Sequence, residues 1–284
     1  MAINVIEARV PLKSLSMSTR VLRSGSGAPV LLLHGSPDSA GEWERVMRTL
    51  GGKASCIAPD LPGLGKCDEP PTTFDYSRAA NSAFLDELLK TLAIDEPVVL
   101  AVHDIGGIMG IPWAAERLHR IRGVVITNTV IFEQFPWFAI GRTWARTGGL
   151  GRLRAEAGMA FLGLARGVVF RRIFGRISPE LPTEDMERMT REFALSASAK
   201  RSTLRLFRQM VPTEFFTGAE EMLRALIARV PVQVVWGGGD PYIPARYANE
   251  FPGAKCELVE RGGHWVPISS PEKVASAICA VLAN

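Results

Sequence analysis

The sequence is poor in the features that mark several classes of protein. Its four cysteines are scattered among 284 residues, with no CxxC pair and no clustering with the four histidines, so neither a disulfide framework nor a metal site is expected. No apolar run approaches the roughly 18 residues of a membrane span. The first residues lack the basic and apolar regions of a secretion signal. We therefore expect a cytoplasmic protein without a membrane span.

The sequence is also not strongly charged. Its net charge is +4, and no dense run of Lys and Arg interleaves with aromatic residues, so no nucleic-acid partner is expected. With 47% hydrophobic residues the chain has enough apolar surface to bury a core. Its length suits one large domain, or one domain that carries an insertion.

Short apolar runs that end in Gly, Pro or polar residues alternate with stretches of helical period, such as Tyr76–Leu92. Continuous apolar runs of this length are typical of strands buried on both faces of a parallel sheet. These runs are Pro29–His34, Ala54–Pro59, Pro97–His103, Gly123–Thr127, Pro231–Trp236 and Cys256–Glu260. We therefore predict an α/β fold with a doubly wound, mostly parallel sheet, and antiparallel edge strands within residues 8–23.

The alternation stops between residues 129 and 224, where the sequence is helix-like and shows no convincing buried strand. We interpret residues 129–224 as a helical cap inserted into a core of residues 1–128 and 225–284. The cap holds 15 basic and 10 acidic residues, a net +5, whereas the core is nearly neutral. Its arginines either attract an anionic substrate or lie on solvated helix faces. Those considered are Arg142, Arg146, Arg152, Arg154, Arg171 and Arg172.

An acidic residue stands on a predicted tight turn after the strand that ends at His103. Asp104 is followed by Gly106 and Gly107, and no G-x-S-x-G sequence occurs in the chain, so Asp104 occupies the place of a nucleophilic serine. On such a turn its carboxylate projects above the carboxyl edge of the sheet. The alternative is that Asp104 only caps the helix that follows.

Three further motifs fall at predicted strand ends. The Gly of the sequence HGSP frees backbone N–H groups, so those of Ser36 and Ile105 are expected to form an oxyanion hole, unless this is an ordinary strand-exit turn. Asp240 follows a late strand, and His264 lies in a Gly-rich loop before the last helix. The order Asp104, Asp240, His264 is that of nucleophile, acid and base, although a lone histidine is often structural.

On these motifs the chain resembles the α/β-hydrolase superfamily, in its branch with an aspartate nucleophile, which contains epoxide hydrolases and haloalkane dehalogenases. The resemblance covers nearly the full chain outside the cap and rests on HGSP, IAPDLPGLGK, HDIGG, GGDPYIP and GGHW. It implies that Asp104 displaces a leaving group from a saturated carbon and becomes an alkyl ester. Water activated by His264, which Asp240 orients, then hydrolyses that ester. No metal or organic cofactor is required.

The leaving group depends on the residues around Asp104. Haloalkane dehalogenases usually hold halide with a Trp after the nucleophile and an Asn or Glu after the HG pair, where this chain has Ile105 and Ser36. Epoxide hydrolases ordinarily protonate the epoxide oxygen with two cap tyrosines, but none of the three tyrosines lies in residues 129–224. We expect hydrolysis of an epoxide to a vicinal diol, with carbon–halogen hydrolysis as the alternative. An esterase fits less well because of the Asp nucleophile, and a non-catalytic receptor needs no complete triad.

Aromatic side chains supply the remaining candidates. The candidate donors to the leaving group are Trp137 and Trp144 in the cap and Tyr242 near Asp240, although core packing is the commoner role for such residues. The candidate pocket residues are Phe132, Phe135 and Phe138. An apolar pocket under the cap would take a small apolar or amphipathic organic substrate. The sequence leaves the formation of a homodimer open.

Overall fold

In the computed structural model, which describes residues 3–283, eight strands form a single sheet. The strands are β1 (Ile6–Leu12), β2 (Met17–Ser24), β3 (Pro29–Leu33), β4 (Ser55–Pro59), β5 (Val98–His103), β6 (Ile121–Thr127), β7 (Val232–Gly237) and β8 (Lys255–Val259). Their order across the sheet is β1-β2-β4-β3-β5-β6-β7-β8. Strand β2 pairs antiparallel with β1 and β4, and the other pairs are parallel. The predicted mostly parallel sheet is confirmed, and its two antiparallel pairs, β1 with β2 and β2 with β4, lie at one edge.

Helices cover both faces of this sheet, which explains the uninterrupted apolar runs. Every residue of β3 and β5 is buried. Leu31 and Leu33 pack on the side of α2 (Arg78–Thr91), α3 (Ile105–Glu116) and α9 (Ala219–Ile227). Val30 and Leu32 pack on the opposite side, with α1 (Glu44–Leu50), α10 (Val266–Ser269) and α11 (Pro271–Leu282). Because helices cover both faces of these strands, neither face contacts water, and the side chains on both faces are apolar.

A run of helices separates β6 from β7. It consists of α4 (Ala139–Trp144), α5 (Gly149–Leu162), α6 (Leu164–Ile177), α7 (Thr183–Met189), a π-helical turn (Thr190–Ala194) and α8 (Ala197–Met210), before α9. We call α4–α8 the cap helices. Helix α9 packs against α3 of the core, although most of α9 lies within the predicted cap of residues 129–224. The last cap helix, α8, ends at Met210, and the predicted division at 129–224 stays a proposal. Residues 1, 2 and 284 of the predicted core lie outside the described residues.

Ion pairs join the cap helices to the core. Arg20 of β2 contacts Asp60 at 2.7 Å and Glu192 of the π-helical turn at 2.8 Å, and its side chain is almost completely buried. Arg188 of α7 contacts Asp38 at 2.9 Å. Buried and hydrogen-bonded pairs of this kind fix the position of one element on another. No helix among the described residues is long and apolar enough to cross a membrane.

Candidate active site

Asp104 stands on a sharp turn between β5 and α3. Its backbone angles, φ 46° and ψ −121°, lie outside the regions that ordinary residues adopt. The turn requires Gly106, because an added Cβ would collide with the carbonyl of Leu33 on the neighbouring strand. Thr129 Oγ1 donates a 2.6 Å hydrogen bond to the carbonyl of Asp104. The strand and the helix therefore meet closely enough to place Asp104 at the carboxyl edge of the sheet.

The Asp104 carboxylate lines a cavity and does not cap the helix. It makes no capping hydrogen bond to α3, so the helix-cap alternative does not describe this side chain. Instead its Oδ2 accepts a 2.9 Å hydrogen bond from the Ser36 N–H. Ile105 begins α3, and the first N–H groups of a helix have no partner within it. The two N–H groups expected to form an oxyanion hole therefore flank Asp104.

His264 and Asp240 form a buried hydrogen-bonded pair. His264 Nδ1 lies 2.7 Å from Asp240 Oδ2. Asp240 Oδ1 accepts hydrogen bonds from the N–H groups of Tyr242 (2.7 Å) and Ile243 (3.0 Å), and its Oδ2 accepts one from Asn128 Nδ2 (2.7 Å). Burial alone would raise the pKa of Asp240, but His264 and these donors hold that pKa below its ordinary value.

The same pairing raises the pKa of His264. Burial by itself lowers this pKa, but the attraction of Asp240, and to a smaller extent that of Asp104, raises it to about 9. His264 therefore carries a proton at neutral pH, opposite the ionised Asp240. Any reaction that removes the charge of Asp104 lowers the pKa of His264 and makes it a better base.

A second carboxylate–histidine pair lies beneath the first and was not expected from the sequence. His103 Nδ1 is 2.9 Å from Glu42 Oε1, and both side chains are completely buried. Neither of these two atoms has another hydrogen-bond partner within the described residues. His103 Nε2 contacts the His264 carbonyl at 2.9 Å, and Glu42 Oε2 accepts a 3.1 Å bond from the Gly35 N–H. Glu42 thus links the loop of the oxyanion hole to the loop of His264.

The cavity in front of Asp104 has a volume of about 250 Å³. Ser36, Asp104, Tyr242 and His264 contribute from the core. The cap side is almost entirely apolar, and its lining residues include Trp137, Phe138, Ile140, Thr143, Trp144, Gly158, Leu162, Ile173, Phe174, Ile177 and Phe207. All three candidate donors and Phe138 therefore lie at the cavity, as the sequence suggested.

Two of the expected pocket residues are not there. Phe132 stacks on Tyr247 with ring centroids 5.2 Å apart, and Phe135 packs edge-on against Trp137 at 5.4 Å. Neither lines the cavity, because the segment after β6 first packs over the connection that follows β7. The expectation for Phe132 and Phe135 is corrected accordingly. None of the six considered cap arginines lines the cavity either.

Two residues that line the cavity carry hydroxyl groups without a well-formed hydrogen bond. The hydroxyl oxygens of Tyr242 and Ser36 are buried and form no hydrogen bond of standard geometry within residues 3–283, although the Ser178 side chain interacts with Tyr242. The ring of Tyr242 lies against that of His264, with centroids 5.1 Å apart. Burial raises the pKa of Tyr242 to about 12, even though the interaction with Ser178 lowers it, so the phenol keeps its proton at neutral pH. A buried donor without an acceptor is costly, and a ligand oxygen at this place would satisfy it.

The edge of the sheet could have revealed one further residue. Asn128 directly follows β6, beside the turn of Asp104, and its side chain joins Asp240 to the Gly237 N–H. A polar residue after a buried parallel strand is the same signal that pointed to Asp104 and Asp240. Within the described chain, no three His, Cys, Asp or Glu side chains are grouped so that they could hold a metal ion.

The sheet order and the Asp–His–Asp set at its carboxyl edge define an α/β hydrolase. The model of the alpha/beta hydrolase family matches residues 30–277, and the chain belongs to that family.

Three comparisons show how this chain relates to other members. A haloalkane dehalogenase of Sphingobium indicum is 27% identical over 286 residues, covering 90% of this chain and 88% of that protein. A cis-3-alkyl-4-alkyloxetan-2-one decarboxylase of Xanthomonas campestris is 36% identical over 130 residues, but the match covers only 42% of this chain and 43% of that protein. The structure of an epoxide hydrolase covers 99% of both chains with a TM-score of 0.75 and 20% identity, a likeness of fold alone.

Proposed function

We propose that the protein hydrolyses an epoxide to a vicinal diol through an alkyl ester on Asp104, with Tyr242 as proton donor to the epoxide oxygen. The observation that carries this proposal is Tyr242, which lines the cavity with Asp104 and whose buried, protonated hydroxyl forms no hydrogen bond of standard geometry within the described residues. The Ser36 hydroxyl, also without such a hydrogen bond, is a second donor to the same oxygen.

The first step forms the ester. An Asp104 oxygen attacks one epoxide carbon, the carbon–oxygen bond of the ring breaks, and the released alkoxide takes the phenolic proton of Tyr242. A donor matters here because an alkoxide is a far poorer leaving group than a halide, which departs without a proton. Formation of the ester also removes the negative charge of Asp104, so the pKa of His264 falls.

The second step returns the enzyme to its starting state. As its pKa falls, His264 releases its proton to solvent, and it regains one from solvent when the charge of Asp104 returns. The neutral His264 takes a proton from water, which attacks the ester carbonyl of Asp104, and the Ser36 and Ile105 N–H groups stabilise the oxyanion. The intermediate collapses and expels the second alkoxide. That alkoxide takes the proton held by His264, and the remaining proton of the water returns to the Tyr242 phenolate. The sum is epoxide plus water giving diol.

Carbon–halogen hydrolysis is the second candidate, because a haloalkane dehalogenase matches most of the chain and two indoles, Trp137 and Trp144, line the cavity. Halide binding by N–H donors would use these residues. The name of a partial relative contains a third kind of substrate, an oxetan-2-one, which is a strained ring. An assay with such a compound would test whether Asp104 also opens this ring.

Exchange of Tyr242 for phenylalanine separates these reactions. If Tyr242 protonates the epoxide oxygen, Tyr242→Phe slows epoxide opening about 10²- to 10⁴-fold and leaves haloalkane hydrolysis unchanged. The matched control is Tyr247→Phe, which removes a hydroxyl from a tyrosine that does not line the cavity. Equal activity of wild type and Tyr242→Phe on epoxides would overturn the assignment.

Exchange of the base tests the ester itself. His264→Ala is expected to form the ester and fail to hydrolyse it, so that incubation with an active substrate adds a stoichiometric mass to the protein. For an epoxide this mass equals that of the whole substrate, whereas for a haloalkane it is the substrate less hydrogen halide. Absence of any adduct with a substrate that the wild type turns over would contradict the covalent route.

A further inference from the structure

The outer cap segment, residues 139–177, differs from the rest of the surface. It contains eight arginines, no lysine and a single acidic residue, Glu156. Nine large apolar side chains in the described part of the chain are between 43% and 71% exposed, and six of them lie in this segment. The six are Ile140, Leu150, Leu153, Phe161, Leu164 and Val168.

Helix α5 is apolar on both of its faces. Its inner face packs on the other cap helices through Ala155, Met159 and Leu162. On its outer face, Leu150 and Phe161 follow helical spacing and are 71% and 51% exposed. A helix with one side in contact with water normally has a polar outer face. This apolar outer face therefore marks an interaction surface.

The arginines beside this face are largely free of acidic partners. Arg152 pairs with Glu156 at 2.8 Å. Within residues 3–283, six other exposed arginines of the segment form no ion pair, namely Arg142, Arg146, Arg154, Arg166, Arg172 and Arg176. Apolar side chains thus lie among uncompensated positive charges.

The cavity opens toward the same surface. Ile140 of α4 and Gly158 of α5 both line the cavity and are both exposed to solvent. The mouth therefore lies between these two helices, on the segment that bears the arginines and the exposed apolar side chains. An apolar molecule that leaves this surface enters a cavity lined with apolar side chains.

We propose that the outer cap segment binds a lipid surface that carries anionic headgroups. Exposed Leu and Phe among Arg is the composition of helices that lie at a membrane interface, where the apolar side chains enter the acyl boundary and the arginines contact phosphate. A second copy of the chain fits less well, since a two-fold contact would place the same arginines against each other. An acidic protein would complement the charge of the arginines, but it would not explain the exposed apolar side chains at the mouth of the cavity.

Co-sedimentation with vesicles tests this proposal without any turnover, so its result does not depend on the proposed reaction. At low ionic strength the full chain is expected to bind vesicles of phosphatidylcholine with about 30% phosphatidylglycerol, and to bind pure phosphatidylcholine much less. Added salt weakens binding to the anionic vesicles. Absence of binding to the anionic vesicles would overturn the proposal.

Two variants and two matched controls localise the binding. Arg154→Gln/Arg166→Gln is expected to weaken binding about five-fold per arginine, and Leu150→Ser/Phe161→Ser at least about ten-fold. Arg229→Gln/Lys255→Gln and Ile6→Ser/Leu258→Ser change exposed residues of the core and are expected to leave binding unchanged. Equal loss in the controls would contradict the assignment, as would a dimer in gel filtration that the Leu150→Ser/Phe161→Ser variant converts to a monomer. Circular dichroism confirms that each variant is folded.

Discussion

The core and the cap helices contact the same cavity with opposite chemistry. The core contributes the carboxylates, the imidazole and the hydroxyls, and its charged groups are held by hydrogen bonds, as Asp240 is by four partners. The cap helices contribute a wall that is apolar apart from Thr143. The chemistry of the proposed reaction therefore belongs to strand ends, and the choice of substrate belongs to helix faces. We therefore expect variants of the core to change the rate of the chemical step and variants of the cap helices to change substrate binding.

The largest effect is expected at the nucleophile. Asp104→Asn keeps the shape of the side chain but removes its charge, so turnover should fall by at least about 10³-fold. No adduct should form on the protein in mass spectra. The control Asp95→Asn changes an exposed carboxylate that does not line the cavity and should retain wild-type rates. Substantial activity in Asp104→Asn would place the chemistry elsewhere.

The buried pair beneath the site should control stability more than any surface pair. Glu42→Gln removes a completely buried carboxylate that contacts His103 and accepts a hydrogen bond from the Gly35 N–H, so the free energy of unfolding should fall by about 3 kcal/mol. Urea unfolding followed by circular dichroism measures it. The matched change Glu44→Gln affects an exposed pair with Arg48 and should cost less than about 0.5 kcal/mol. An equal loss in both variants would show that burial of the pair has no special weight.

A cap variant should change substrate binding and spare the chemical step. Gly158 lines the cavity, and a Cβ there meets nothing within 4 Å, so Gly158→Phe can be accommodated while it narrows the mouth. We expect KM for bulky substrates to rise roughly ten-fold with kcat unchanged. Gly175 in α6 is equally open but lines no part of the cavity, and Gly175→Phe should leave KM as it is. If Gly158→Phe lowered kcat and left KM unchanged, the cap helices would affect the chemical step, which would contradict the assignment of chemistry to the core.

The smallest effect concerns the pH dependence of stability. The pKa of His264 is about 9 in the folded protein against an ordinary value of 6.5. Because the folded state raises this pKa, the pairing stabilises the fold fully below pH 6.5 and loses this contribution as the pH rises to about 9. The difference in unfolding free energy between wild type and His264→Gln should shrink over that interval. His119→Gln, at an exposed histidine, should show no such trend.

The sequence predicted the polar half of the site because strand ends impose it. Asp104 and Asp240 each follow a buried apolar run, and parallel strands bring their carboxyl ends to one edge. Ser36 follows another such run in the sheet, and its N–H group contacts Asp104 for the same reason. A local pattern, a polar residue after an apolar strand, therefore predicted which distant residues lie close together in the fold.

The apolar half could not be predicted in this way. The segment after β6 is rich in aromatic residues. Its composition indicates that these side chains are buried, but it does not indicate which residues they contact. Phe132 packs on Tyr247, more than a hundred residues later in the chain, whereas Phe138 reaches the cavity. Glu42 was missed for a related reason, since a glutamate at the start of a short helix usually faces water, and only the fold places His103 beside it.

The most direct test of the covalent route is a single turnover in heavy-oxygen water with enzyme in excess over an epoxide. In the proposed route, water attacks the ester carbonyl, so the label enters the carboxylate of Asp104 and the first diol carries unlabelled oxygen. Mass spectrometry of the peptide that contains Asp104, together with that of the diol, measures both. Label in the diol and none in Asp104 would mean that water attacks the epoxide directly, and would contradict the account.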